Sequence, residues 1–143
     1  MNNILKISEA ASLALHTAVL LAVDSKKWIS TRELASTLHA SKAHLSKVLQ
    51  RLEKSGIVKS TRGPKGGFKL KKSGDEITLL DVYEAIDGKL SSGDCLLDER
   101  ICNGDCIMGR LLGDLNKQVR NYLAQAKLIT LTNVYRSKEC VEK

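Results

Sequence analysis

Apolar residues recur at helical spacing through the first part of the chain and predict three helices. The first covers residues 7–23, where the apolar stripe consists of Ile7, Ala11, Ala14, Leu15, Ala18, Leu21 and Ala22. Ser30 is placed to cap a short helix over 31–38. A third helix covers 42–55, and Gly56 stands where a helix end favours glycine. Two short helices joined by a tight turn predict a helix-turn-helix.

Two short β-type runs follow the third helix. They cover 57–60 and 68–70 and enclose a turn, 61–67, that holds three glycines and the only proline, Pro64. This pattern predicts a β-hairpin, and a hairpin directly after a helix-turn-helix is a wing. Apolar spacing predicts one more helix over 79–87.

The C-terminal part of the chain has an apolar pattern that predicts a long helix, from about 106 to 133. Its apolar residues alternate steps of four and three, as in a heptad seam: Met108, Leu112, Leu115, Val119, Tyr122, Ala126 and Ile129. A helix of about 25 residues is about 37 Å long, which is too long to be covered by so small a domain. We therefore expect the seam from Leu112 to Ile129 to pair two copies as a homodimer, with burial inside the monomer as the alternative.

Basic residues are concentrated in one window, 41–72. It holds ten basic residues against Glu53 as its single acid, a local net charge of +9, whereas the whole chain carries +7. Such a window predicts contact with the phosphates of double-stranded DNA, the alternative being a solvated basic face. The helix after the turn would enter the major groove with its N-terminal half. The candidate contacts on that helix are Ser41, Lys42, Ala43, His44, Ser46, Lys47, Gln50 and Arg51, and those on the wing tip are Arg62, Gly63, Pro64 and Lys65.

The predicted fold class is mostly α with a small β-hairpin wing: a winged helix-turn-helix plus a long C-terminal dimerisation helix. The DNA-binding domain covers 1–90, a cysteine-rich cluster-binding loop 91–106, the dimerisation helix 107–135 and a flexible tail 136–143. No apolar run approaches the length of a membrane span, and no secretory signal is recognisable, so we expect a cytoplasmic protein without membrane contact. No nucleophile elbow, phosphate loop or defined acid pair is present, so we expect no enzymatic activity.

Three of the four cysteines, Cys95, Cys102 and Cys106, fall within twelve residues. Cytoplasmic thiols stay reduced, so these cysteines are more plausible as ligands or sensors than as disulfides. Sulfur ligands select iron–sulfur clusters, zinc or copper(I). Structural zinc needs a fourth ligand, and a metal-free thiol sensor is a further alternative. Cys140 is remote, and we assign it no role.

A run from Leu52 to Phe68 carries a family resemblance. It contains Arg62-Gly-Pro-Lys-Gly-Gly-Phe68, preceded by Gly56-Ile-Val, and the segments Lys6-Ile-Ser and Thr78-Leu-Leu-Asp-Val-Tyr fit the same family. Over about residues 4–135 the chain resembles the Rrf-two family of bacterial winged-helix repressors. The three loop cysteines mark its iron–sulfur branch, typified by the regulators IscR and NsrR.

The resemblance implies a dimeric, sequence-specific transcription regulator on a near-palindromic operator. Its DNA affinity would depend on an iron–sulfur cluster, [2Fe–2S] rather than [4Fe–4S], that senses redox state, nitric oxide or iron–sulfur status. It also implies that the wing tip reaches the minor groove or nearby phosphates.

Two departures from the family pattern concern the cluster ligands. The gaps between the cysteines are six and three residues, and no histidine follows the third cysteine. The resemblance then places His16 of the partner subunit as fourth ligand, with Asp94 and Asp105 as other oxygen candidates. The alternative function is a cluster-free repressor of the same family, regulated by thiol oxidation or by a protein partner.

Overall fold

The structure is a computed structural model that describes residues 5–90, 93 and 95–135. Asp94, Cys140 and the predicted tail 136–143 lie outside the described residues. The elements in chain order are α1 (Glu9–Val23), α2 (Thr31–Thr37), α3 (Lys42–Lys54), β1 (Val58–Thr61), β2 (Gly67–Leu70), α4 (Leu79–Asp87), α5 (Leu111–Gln125) and a 3₁₀ helix (Leu128–Tyr135). The mostly helical fold with one hairpin confirms the predicted fold class. In the described part of the chain, no helix has the length and apolarity required to cross a membrane.

Helix α1 lies at the centre of the core. Ser8 begins it, because its Oγ accepts a hydrogen bond from the Ala11 amide at 3.0 Å. Its inward positions are small, and Ala11, Ala14 and Ala18 are fully buried. Small side chains let neighbouring elements approach closely, so α3, α4, β2 and the 3₁₀ helix all pack against α1.

The helix-turn-helix consists of α2 and α3. Ser30 and Glu33 form a capping box at the start of α2, with Glu33 N to Ser30 Oγ at 3.1 Å and Ser30 N to a Glu33 carboxylate oxygen at 3.2 Å. His39 takes a left-handed conformation (φ 51°) in the turn. The buried side of α3 is formed by Leu45, Val48, Leu49 and Leu52. The helix bounds differ from the predicted ones by one residue each.

The wing is a two-stranded antiparallel hairpin in which Val58 pairs with Leu70 and Thr61 with Gly67. Ile29, before α2, pairs with Phe68 through hydrogen bonds of 3.0 and 2.8 Å, so the hairpin is joined to the helix-turn-helix. Gly67 makes this pairing possible, because a Cβ there would lie 2.4 Å from the Ile29 carbonyl oxygen.

The prediction of one continuous helix from 106 to 133 is wrong. Helix α5 covers only Leu111–Gln125, and Ala126 is extended (ψ 100°). Three backbone bonds then join this segment to the first residue of α4 and to residues before it: Leu79 N to Ala126 O (2.9 Å), Leu128 N to Ile77 O (3.0 Å) and Ile129 N to Gly74 O (3.0 Å). The break allows Leu128 to be fully buried against α1. Burial of that side chain and the new backbone bonds replace the helical hydrogen bonds that are lost.

Candidate functional site

The N-terminal half of α3 presents the predicted DNA-contacting residues. Lys42, Ala43, Lys47 and Gln50 are exposed, and His44 and Ser46 are half-buried. Ser41 is exposed, but its Oγ already accepts a bond from the His44 amide at 3.3 Å as the helix cap. Because Lys47 and Gln50 are exposed, their side chains are available to donate or accept hydrogen bonds at base edges.

Arg51 has a partner inside the protein. Its guanidinium donates a hydrogen bond to the Ile86 carbonyl oxygen in the last turn of α4. A long basic side chain on an exposed helix face looks, in sequence, like a DNA contact. In the structure this cation also joins α3 to α4.

The wing tip is exposed as predicted, with Arg62, Gly63, Pro64 and Lys65 all open to solvent. The turn is closed by a bond from the Gly66 amide to the Gly63 carbonyl oxygen at 2.9 Å. A Cβ at position 66 would lie 2.4 Å from the Thr61 carbonyl oxygen, so the turn needs glycine there. The tip thus places two cations on a tight backbone that can approach a phosphate closely.

Glu53, the single acid of the basic window, joins α3 to the wing. Its carboxylate accepts a hydrogen bond from Ser60 Oγ on β1 at 2.5 Å. On the other strand, the Lys69 ammonium lies 4.5 Å from the ring centroid of Trp28. These contacts hold the wing beside the helix-turn-helix, so the basic side chains of both act as one surface.

The three loop cysteines line one cavity of about 560 Å³. Cys102 is exposed, and Cys95 and Cys106 are half-buried. The long helix was predicted to begin at about residue 106, but it begins only at Leu111. Gly104 (φ 116°) and Gly109 (φ 58°) turn the backbone out of helical conformation in between. The cysteines therefore meet through an irregular loop.

The residue types suit a sulfur-ligated metal centre, because three cysteines line the same cavity. Among the described residues, however, no three Cys, His, Asp or Glu side chains are close enough to hold a metal ion in this conformation. Metal binding would thus require the loop to draw the sulfurs together.

His16 lies exposed on α1, away from the cysteine cavity of its own chain. Its Nδ1 lies 2.7 Å from the Ser12 carbonyl oxygen, and its ring contacts Tyr135 edge-on at 6.4 Å between centroids. A carbonyl oxygen only accepts, so Nδ1 carries the proton and Nε2 of the neutral ring keeps its lone pair. Metal-binding histidines commonly have this arrangement.

A second cavity of about 430 Å³ lies between α1 and the N-terminal end of α3. It is lined by His16, His39 and His44, which are all three histidines of the chain. The sequence offered no signal for this grouping, because His39 and His44 lie more than twenty residues from His16. The cavity lies where α1 faces the Ser41 end of α3, the predicted DNA-reading helix.

Ser8 makes two contacts with Asp87 just before the start of the cysteine loop. Ser8 Oγ donates to Asp87 Oδ1 at 2.6 Å, and the Ser8 amide donates to Oδ2 at 3.3 Å. With the Arg51–Ile86 bond, these contacts fix the last turn of α4 against both α1 and α3. The loop leaves α4 at Gly88, whose positive φ of 80° ends the helix.

The predicted seam is largely uncovered in the chain. Leu115, Tyr122 and Ile129 are exposed, and Leu112, Val119 and Ala126 are half-buried. Only Leu123 of α5 is buried. An apolar helix face that remains open is the expected surface for a second copy.

A family model described as "Rrf2: Iron-dependent Transcriptional regulator" matches residues 7–134. The regulator IscR of Pectobacterium carotovorum is 34% identical over 103 residues, which are 71% of this chain and 61% of that protein. NsrR of Bacillus licheniformis is 26% identical over 97% of this chain and 98% of its own length. The structure of CymR, the global cysteine regulator of B. subtilis, superposes with a TM-score of 0.74 at 26% identity, covering 90% of this chain and 96% of that one.

Proposed function

Because the chain belongs to the Rrf2 family of transcriptional regulators, we propose that it is a dimeric DNA-binding regulator controlled by an iron–sulfur cluster. The cluster would be held by Cys95, Cys102 and Cys106. One observation carries this proposal: the three thiols share a cavity in the loop that follows α4. The family's description as iron-dependent supports iron as the metal. We favour a [2Fe–2S] cluster over [4Fe–4S].

The fourth ligand in this proposal is His16 of the partner subunit. This histidine is exposed and its Nδ1 is held by a backbone carbonyl, which fixes the ring orientation at little entropic cost. An imidazole beside three thiolates is the weakest ligand of the four, so the cluster would be easiest to perturb there. When bound, the cluster supplies a redox-active iron centre that oxidants or nitric oxide can attack.

DNA recognition in this proposal uses α3 and the wing. Lys47 and Gln50 read base edges in the major groove, while Arg62 and Lys65 contact phosphates or the minor groove at the side. Two copies joined along α5 would place two reading helices on a near-palindromic operator, with half-sites about one helical turn apart or slightly more. The protein would work in the cytoplasm, where cysteines stay reduced.

The path from the cysteines to the DNA surface runs through the last turn of α4. Loop closure around a metal pulls on Gly88, and the turn before it is bonded to Ser8 of α1 and to Arg51 of α3. A displacement of this turn therefore moves the reading helix relative to the rest of the domain. In the dimer, His16 adds a second constraint from α1 of the other copy.

Anaerobic reconstitution with iron and sulfide tests the cysteine assignment. Cys95→Ser, Cys102→Ser and Cys106→Ser should each yield little visible absorption, because a hard hydroxyl replaces a thiolate in a site with no spare sulfur. Cys140→Ser should reconstitute like wild type and serves as the matched control. Equal absorption in all four variants would contradict the assignment.

A second candidate function follows from the open geometry of the thiols. Since the described residues form no metal-binding group as they stand, the three cysteines suit a metal-free thiol sensor as well. Protein purified without oxygen separates the two functions. Colourless protein free of iron and sulfide, whose DNA affinity changes when its thiols are oxidised, would favour the thiol sensor.

A further inference from the structure

The cysteine cavity has a strongly cationic wall. Among the described residues, its lining includes Arg100, Arg110, Lys117 and Arg120 against one acid, Asp114, for a local net charge of +3. Residues 110, 113, 117 and 120 recur every three or four positions, so α5 turns one face to the cavity. The apolar seam lies on other positions of the same helix.

Two of these cations are not used by the fold. Lys117 and Arg120 are exposed, and within the part of the chain that the structure describes they have no hydrogen-bond or ion-pair partner. Cations held side by side repel one another, so grouping them around a cavity opposes folding unless an anion binds there.

A cluster alone would not balance this wall. Three thiolates bring three negative charges, and the positive iron–sulfur core cancels part of them, which leaves less negative charge than is needed to balance Arg110, Lys117 and Arg120 even with Asp114 present. The cavity, at about 560 Å³, also falls within the range of about 300–1,000 Å³ that small-molecule sites occupy. Arginine, which supplies three of the four cations, matches carboxylate and phosphate groups with paired N–H donors.

We propose that the cavity binds a small polyanion, bearing carboxylate or phosphate groups, next to the cysteine sulfurs. This deepens the proposed function, since the anion occupies the cavity of the cluster-free protein and covers its thiols. Ligation of a metal by the thiolates adds negative charge and expels the anion. The anion thereby sets how readily the cysteines are loaded or modified.

Alkylation rates of individual cysteines test the proposal on reduced, full-length, cluster-free protein. Anionic iodoacetate and neutral iodoacetamide both attack the thiolate, so the ratio of their rates reports the local field and not the thiolate fraction. At low ionic strength the ratio at Cys95, Cys102 and Cys106 should exceed that at Cys140 about tenfold. Citrate or inorganic phosphate should slow alkylation of the three loop cysteines by iodoacetamide, and comparing the two probes tells carboxylate from phosphate preference.

Charge variants provide the controls. Lys117→Gln/Arg120→Gln should abolish both the rate bias and the protection. Lys26→Gln/Arg32→Gln removes the same charge from exposed positions outside the cavity and should preserve both. Protection by citrate and phosphate no greater than by chloride at equal ionic strength, or protection that survives in Lys117→Gln/Arg120→Gln, would overturn the proposal.

Cluster reconstitution in the same proteins keeps the two proposals separable. Normal reconstitution without anion protection defeats the anion site alone. Anion protection in a protein that takes up no iron or sulfide defeats the cluster alone.

Discussion

At the scale of single residues, His16 combines exposure with a fixed ring. The bond from Nδ1 to the Ser12 carbonyl oxygen leaves Nε2 as the acceptor nitrogen. Sequence spacing by itself could not distinguish this histidine from an ordinary surface residue.

Replacing His16 by Ala should leave three thiolates able to take up iron, but the fourth ligand position of the cluster would no longer be filled by an imidazole. We expect a shifted visible spectrum and faster decay of the cluster in air, followed by absorption spectroscopy. His39→Asn is the matched control, because it removes a histidine from the same cavity while tolerating the left-handed conformation of that turn. If His16→Ala matches wild type in spectrum and decay, another group is the fourth ligand.

Arg62 at the wing tip is exposed on a turn that needs glycine. If it contacts a phosphate, Arg62→Ala should weaken DNA binding on all sequences and reduce the salt dependence of log affinity by about one unit. Fluorescence anisotropy with labelled operator at several salt concentrations measures both. Lys89→Ala, an exposed cation outside the basic window, should change neither. An unaltered slope for Arg62→Ala would remove the wing tip from the interface.

At the scale of elements, the wing depends on one close backbone approach. A Cβ at position 67 would meet the Ile29 carbonyl oxygen at 2.4 Å and the Ser30 amide at 2.8 Å, and backbone atoms cannot move aside easily. Gly67→Ala should therefore lower the free energy of unfolding by more than about 1 kcal/mol and weaken DNA binding. Gly74→Ala makes only ordinary contacts, the nearest at 3.4 Å, and is the control for thermal denaturation. A similar small loss in both variants would mean that the Ile29 bridge contributes little.

The seam on α5 carries the dimer prediction. Val119 is half-buried between exposed Leu115 and Tyr122. If a second copy covers this face, Val119→Glu buries an unpaired carboxylate there, which costs several kcal/mol. Sedimentation should then show monomer, with weaker operator binding. Gln118→Glu adds the same charge at an exposed position off the seam and should remain dimeric. A dimeric Val119→Glu protein would locate the interface elsewhere.

At the scale of the whole molecule, the cysteine loop and the reading helix meet at the end of α4. Arg51→Gln removes the bond to the Ile86 carbonyl oxygen. We expect the ratio between the DNA affinities of cluster-loaded and cluster-free protein to shrink toward one, because the loop no longer positions α3. Lys54→Gln removes an equal charge from the same helix end without that bond and should preserve the ratio. An equal loss of affinity in both loading states of Arg51→Gln would mark it as a DNA contact alone.

Local signals in the sequence were sufficient for most of the N-terminal fold. Ser30 caps the helix that it was expected to cap, and the hairpin lies around Pro64. Ser41 and Thr78 cap α3 and α4 in the same local way. These features depend on hydrogen bonds and backbone conformations within a few residues, which are readable in sequence. Membership of the Rrf2 family was likewise predictable from the sequence motif in the wing.

Contacts between distant residues were decided only by the tertiary structure. The heptad pattern predicted a continuous helix, but burial of Leu128 and backbone bonds to Gly74, Ile77 and Leu79 ended it at Gln125. The bond from Arg51 to the Ile86 carbonyl oxygen could not be read from the sequence, because the two residues lie 35 positions apart. The sequence alone determined which residues are apolar, capped or cationic. The packing of α1, α4 and the 3₁₀ helix determined which of them meet, because a long-range contact is favourable only once other elements have brought its partners together.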